Sequence, residues 1–210
     1  LAQEVERGGV ALLPQSSEQC AQLLDLDVEI LVTELAQSAL QFGGRGDAHF
    51  VPIDEVLLQD TQRALRLIRS RAAEWKIDPA RLGAMGFSAG GELVALAWMR
   101  PFAGKADAPD AIDRLDARPA FQVLIYPGRS GDIIPTKDAP PAFLACGEKD
   151  RKDIAEGLAE VYLRFKRAGI STEFHVYAGV GHGFGYRPGM KGPVAAWPNR
   201  LVEWMDAKGF

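Results

Sequence analysis

The sequence predicts an α/β fold, a mainly parallel sheet flanked by helices, and three observations carry that expectation. Apolar runs of strand length alternate with amphipathic stretches at helical spacing along much of the 210 residues. Leu82-Gly83-Ala84-Met85-Gly86-Phe87-Ser88-Ala89-Gly90-Gly91 leads from small apolar residues through a glycine-bounded turn into a second apolar run, Leu93-Val94-Ala95-Leu96-Ala97-Trp98. That is strand, sharp turn and helix, with a serine at the apex. Ser88, Asp150 and His182 each follow the end of an expected strand, where open α/β sheets gather their functional groups.

Length and composition bound the rest. A chain of 210 residues is enough for one α/β domain with a sizeable core and too short for two ordinary ones, so a single domain over 1–210 is expected. Hydrophobic residues make up 47% and charged residues 25%, as in ordinary globular proteins. The net charge of −4 comes without a basic block, which argues against nucleic acid as a partner. No apolar run approaches bilayer-spanning length, so no membrane partner is expected. Cys20 and Cys146 fall in a helical pattern and at the end of an apolar strand; they read as buried free thiols, and redox compartment stays open. The first residues do not form a charged-then-apolar signal peptide, and a chain beginning at Leu1 is expected to lack its natural start.

Taken in order, Ser16 or Ser17 can cap a helix to about Leu26, and Val28-Glu29-Ile30-Leu31-Val32 reads as a buried strand. Residues 37–52 form a glycine-containing loop in which His49 reads as solvated. Residues 54–75 carry the strongest helix signal, with Leu57, Leu65, Ile68 and Ala72 on one face. Arg63, Arg66, Arg69 and Arg71 fill much of the other, which reads as solvated rather than as an anion site. After the Ser88 helix, residues 100–119 form a polar connection. Phe121-Gln122-Val123-Leu124-Ile125-Tyr126 and Ala142-Phe143-Leu144-Ala145-Cys146 read as buried strands. Residues 154–168 form an amphipathic helix stopped by Gly169, 172–177 a strand, 178–185 a glycine-rich loop, and 197–207 a closing helix.

The chemistry concentrates on the serine turn. G-x-S-x-G between strand and helix is the spacing of a nucleophile elbow: the turn is tight enough that side chains two residues away would clash, and it thrusts the serine Oγ out beside a helix N-terminus. The order Ser88, Asp150, His182 is the chain order of a serine–acid–histidine triad on an α/β sheet. Ser88 would attack a carbonyl, His182 would act as general base, Asp150 would fix the imidazole, and the Ala89 N–H would help hold the oxyanion. Glu148 and Asp153 compete with Asp150 as the acid; Asp153 reads as the cap of the following helix and Glu148 as solvated. His175, on a strand with Glu173 and Tyr177 on its own face, reads as structural or solvent-facing. The three histidines lack metal-ligand spacing, and no P-loop or dinucleotide fingerprint is present.

Gly86-Phe87-Ser88-Ala89-Gly90-Gly91, Pro141-Ala142-Phe143-Leu144-Ala145-Cys146-Gly147-Glu148-Lys149-Asp150 and Gly181-His182-Gly183-Phe184 resemble the acetyl xylan esterase-like, or BD-FAE-like, α/β-hydrolases. Asp60-Thr61-Gln62-Arg63-Ala64-Leu65-Arg66, Ile77-Asp78-Pro79, Leu124-Ile125-Tyr126-Pro127 and Trp197-Pro198 look similar to the same group. The resemblance covers residues 55 to the C-terminus. It implies an α/β-hydrolase fold that is short at the N-terminus, and hydrolysis of short acyl esters, chiefly acetyl groups on xylan, xylo-oligosaccharides or other sugars. It implies no metal or organic cofactor. Relatives carry a glycine-rich turn that supplies a second oxyanion donor; here only Gly8-Gly9-Val10 matches, making the N–H of Gly9 or Val10 the expected donor. Glu92 stands where relatives often have His, and Thr33-Glu34 where they often have Tyr-Arg. The same triad residues also suit a general carboxylesterase or peptidase, and the departures near the N-terminus suit a non-catalytic hydrolase-fold module that binds sugar or a partner.

Overall fold

The computed structural model describes residues 30–33, 55–187 and 189–210. The expected first helix, the loop with His49, Cys20, Gly9 and Val10 lie outside the described residues. The described chain runs β1 (Ile30–Thr33), α1 (Glu55–Ser70), α2 (Ala72–Trp75), β2 (Gly83–Phe87), α3 (Ala89–Met99), β3 (Gln122–Ile125), β4 (Ala142–Gly147), α4 (Lys152–Arg167), β5 (Thr172–Tyr177) and α5 (Trp197–Lys208). Short 3₁₀ turns occupy Ala111–Arg114, Ser130–Asp132 and Pro193–Ala196.

The five strands form one parallel sheet in chain order, β1-β2-β3-β4-β5. Parallel strands covered on both faces carry apolar side chains at successive positions, and β3 and β4 are buried along their whole length. Sequential addition with right-handed crossovers sends the connecting helices to one face. Ring contacts agree: Trp98 of α3 meets Phe165 of α4, and Tyr162 of α4 stacks on Phe174 of β5. The neighbouring strand residue His175 points the opposite way and meets Phe143. Phe143 in turn meets Trp204 of α5, so the closing helix covers the other face. Leu65, Leu93, Leu124, Leu144, Phe165 and Trp197 are among the fully buried side chains. Each such burial contributes roughly 1.5–3 kcal/mol against the entropy of ordering the chain.

Three local expectations are corrected. The helix expected over 54–75 is interrupted: α1 ends at Ser70, Arg71 leaves helical geometry, and the short α2 ends on Lys76 in the left-handed region. The arginine face of α1 is not a solvated face. The Arg66 side chain is only 8% exposed; it donates to Asp113 and lies 4.3 Å over the Phe102 ring. Arg63 pairs with Asp110 and Asp113, and Arg69 donates to the carbonyls of Pro79 and Arg118. Residues 100–119 fold back over α1, and these arginines clamp them there. Finally, Asp153 does not cap α4. The cap position is Arg151, and Asp153 sits in the first turn paired with the Arg151 guanidinium at 2.9 Å.

Candidate active site

Steric crowding builds the elbow. A Cβ on Gly86 would collide with the backbone of Gly90 and Gly91, and one on Gly91 would press on Pro127. Between them Ser88 takes φ 52° and ψ −121°, a conformation that non-glycine residues hold only when their surroundings impose it. The surroundings do so by hydrogen bonds. The Ser88 N–H donates to the Ile125 carbonyl at 2.9 Å, and the Ser88 carbonyl accepts from Gly91 N–H at 2.9 Å and Glu92 N–H at 3.2 Å. Ser88 is thus the N-cap of α3, and Ala89 opens the helix. The first N–H groups of a helix have no intrahelical acceptor and attract negative charge.

The sheet brings the other two residues to the serine. Asp150 lies three residues past β4, on a turn closed by its own N–H to the Gly147 carbonyl. His182 lies five residues past β5. Ser88 Oγ is 3.0 Å from His182 Nε2, and both Asp150 carboxylate oxygens are 3.0 Å from His182 Nδ1. A carboxylate can only accept, so Nδ1 carries the hydrogen and Nε2 is left to accept from the Ser88 hydroxyl. The Asp150 side chain is completely buried, and its Oδ1 also accepts the Arg151 N–H at 2.7 Å. The His182 side chain is 36% exposed. A hydroxyl, an imidazole and a buried carboxylate so connected can transfer the hydroxyl proton to the imidazole as the oxygen attacks an electrophilic carbon.

The remaining candidates fall elsewhere. Glu148 is exposed, but it is not merely solvated: its carboxylate accepts the Gly179 N–H at 2.7 Å. His175 bonds Glu173 at 2.8 Å and packs on Phe143 and Tyr177, in keeping with the structural one of the two readings expected of it. Tyr126 reads in the sequence only as the end of a strand and as part of the Leu124-Ile125-Tyr126-Pro127 stretch, yet its ring lies 4.8 Å from the His182 ring and its hydroxyl accepts the Gly185 N–H. Its local signals are its place at an expected strand end, directly before Pro127-Gly128, and its part in the Leu124-Ile125-Tyr126-Pro127 stretch. Glu92, one turn along α3 from the serine, is half-buried against Gly128. Burial pushes its carboxyl above the ordinary glutamate range, while Arg129 and Arg151 pull it back down. Cys146 is a buried free thiol, as expected, and burial pushes it up to about 12. Among the described residues no group of three or more His, Cys, Asp or Glu could hold a metal ion, and no helix is long and apolar enough to cross a membrane.

Comparison with known proteins bears out the expected resemblance. The BD-FAE family model matches residues 46–110. An acetylxylan esterase of Xylanibacter ruminicola is 27% identical over 161 residues, covering 60% of this chain and 31% of that protein, so the chain spans about a third of that relative's length. An acetyl ester-xyloside bifunctional hydrolase from Caldicellulosiruptor lactoaceticus superposes with a TM-score of 0.67 at 27% identity, covering 73% of this chain and 66% of the other. A thermophilic esterase from Thermogutta terrifontis superposes with a TM-score of 0.61 at 22% identity, covering 73% and 65%, and shares the fold. The fold is that of the α/β-hydrolases, with a parallel sheet between helices.

Proposed function

From the premise that this chain is an α/β-hydrolase similar to the BD-FAE-like and acetyl xylan esterase-like enzymes, we propose that it is a serine esterase built as a single domain. Its substrates are short acyl esters, chiefly acetyl groups on xylan, xylo-oligosaccharides or other sugars. The observation that carries this reading is the unbroken chain of hydrogen bonds from the strained Ser88 through His182 to the buried Asp150.

Ser88 Oγ attacks the ester carbonyl carbon as His182 Nε2 accepts its proton. Asp150 holds the imidazole by Nδ1–H and stabilises the imidazolium. The Ala89 N–H, opening α3, donates to the tetrahedral oxyanion. Collapse of the intermediate expels the alcohol, protonated by His182, and leaves an acyl group on Ser88. Water, deprotonated by His182, then releases the acid and restores the serine. Support for the acetyl-sugar preference comes from the named activities of the acetylxylan esterase and the acetyl ester-xyloside hydrolase to which the chain is similar.

The test is hydrolysis of p-nitrophenyl acetate by the intact chain and by Ser88→Ala. The variant is expected to fold and to lose on the order of 10⁴-fold or more in turnover. Undiminished turnover in the variant overturns the mechanism. Acetate release from acetylated xylan, compared with simple alkyl acetates, then tests the acyl acceptor; a preference for the alkyl esters points to a general carboxylesterase.

A further inference from the structure

We infer that Tyr126 and Glu148 are positioning residues that hold the loop carrying His182, Tyr126 through its contacts with residues 182–185 and Glu148 from the turn that carries Asp150. The inference rests on the triad reading above. The loop has no regular structure between Ala178 and Gly185, and Gly179, Gly183 and Gly185 all take positive φ. Such a backbone does not by itself define where an imidazole sits. Catalysis by a general base needs that definition, because misplacement by about 1 Å can cost about 10²-fold in rate. The constraint must come from contacts made to the loop by the sheet.

Those contacts bracket His182. On its N-terminal side, the β4 turn and the loop are laced together. Glu148 N–H donates to the Tyr177 carbonyl at 3.0 Å and Lys149 N–H to the Val180 carbonyl at 2.8 Å. A Cβ on Gly147 would strike the Val180 carbonyl, so the two backbones are in direct contact. Within this lacing the Glu148 carboxylate adds a side-chain bond, accepting the Gly179 N–H at 2.7 Å. The turn that places the acid thereby also places the base.

Tyr126 works from the other side. It is a buried aromatic residue with φ 40°, a backbone region that side chains other than glycine rarely occupy. There its N–H donates to the Ala145 carbonyl at 2.7 Å. The ring meets His182 at 4.8 Å and Phe184 at 4.7 Å, both edge-to-face, and the hydroxyl accepts the Gly185 N–H at 3.1 Å. Three contacts from one side chain thus fall on the four residues 182–185. An unusual backbone conformation kept for the sake of those contacts is strain placed at a functional site.

The experiment measures p-nitrophenyl acetate hydrolysis by the intact chain, Tyr126→Phe, Glu148→Ala, Glu148→Gln and the double variant Tyr126→Phe/Glu148→Ala. Ser88→Ala serves as the control for the triad itself. Turnover is expressed per active serine, counted by the mass added by an organophosphate. Tyr126→Phe keeps the ring and loses the hydroxyl acceptor, and Glu148→Ala loses the carboxylate. Each is expected to lower kcat per active serine by about 3–10-fold with KM within about twofold, and the double variant by up to about 10²-fold. Glu148→Gln, whose amide oxygen still accepts the Gly179 N–H, is expected to restore most of the loss. A purely structural role would reduce the fraction of serines labelled and leave kcat per labelled serine at the parent value; that result, in both single variants, overturns the inference. A Glu148→Gln variant as slow as Glu148→Ala overturns the hydrogen-bond role of Glu148. Retained turnover in Ser88→Ala instead overturns the triad reading, which separates the two failures.

Discussion

Asp150 and His182 form a junction between the interior and the solvent: both carboxylate oxygens stand 3.0 Å from Nδ1, yet the aspartate side chain is fully buried and the histidine side chain is 36% exposed. The acceptor is shielded from competing water, so the imidazole is held in one tautomer while its other nitrogen remains available to the Ser88 hydroxyl. Asp153, only three residues on, has its charge taken up by Arg151. Asp150→Asn is expected to lower turnover by about 10⁴-fold, because an amide can donate to Nδ1 and favour the wrong tautomer. Asp153→Asn is expected to stay within about threefold of the parent, since an exposed ion pair contributes only about 0–1 kcal/mol. Steady-state kinetics of the two variants check this; a larger loss in Asp153→Asn would move the acid assignment.

The strain at Ser88 is open to a stability measurement that is independent of activity. At φ 52° and ψ −121° a residue with a Cβ is costly, by about 1–3 kcal/mol, and glycine is not. Ser88→Gly and Ser88→Ala both remove the proposed nucleophile. Ser88→Gly is nevertheless expected to be more stable than Ser88→Ala, by about 1 kcal/mol after allowing for the greater chain entropy of unfolded glycine, and so to unfold at a higher denaturant midpoint. Chemical denaturation of both variants decides it, and a lower midpoint for Ser88→Gly, the result that the chain entropy of glycine alone would give, would show the turn to be relaxed.

Glu92 links stability to pH. Its carboxyl is raised above the ordinary glutamate range chiefly by burial. The folded protein therefore holds this proton more tightly than the unfolded chain. The corresponding stability is fully present below the unfolded-state pKa and is lost as pH rises through the raised folded-state value. Glu92→Gln removes that loss. The variant is expected to melt above the parent at neutral pH, with the difference shrinking as the pH is lowered into the ordinary glutamate range. A gap that stays constant with pH would contradict the assignment.

Cys146 is expected to be chemically silent in the native protein. It is fully buried in β4, and burial raises its thiol to about 12, so almost no thiolate is present near neutrality. Alkylation of the native chain followed by peptide mapping is expected to leave Cys146 unmodified, and denaturation to expose it. Rapid native modification would mean that β4 opens readily.

The strands, the elbow and the order of the residues proposed as the triad are legible in the chain because each depends on local chemistry. Apolar runs make buried parallel strands wherever they pair. The glycines around Ser88 are required by a collision between residues four apart, Gly86 and Gly90, so the turn is written within a few positions. Asp150 and His182 were identifiable because parallel strands deliver their carboxyl ends to the same edge of the sheet, whatever the details of the connections.

What the sequence could not decide is which side chains meet across long separations. Periodicity places Arg66 on the polar face of α1, but only the return of residues 100–119 gives it Asp113 and Phe102 as partners. Glu148 reads as a solvated carboxylate until the Gly179 N–H, 31 residues away, arrives beside it. Tyr126 reads as the last residue of a strand until Gly185, 59 residues away, donates to its hydroxyl. Local sequence determined the strands, the elbow and which residues stand at the strand ends, because short-range sterics and burial determine those. The tertiary structure alone decided how His182 is held, because hydrogen bonds and ring contacts depend on distances of a few ångströms between segments that the chain order leaves far apart.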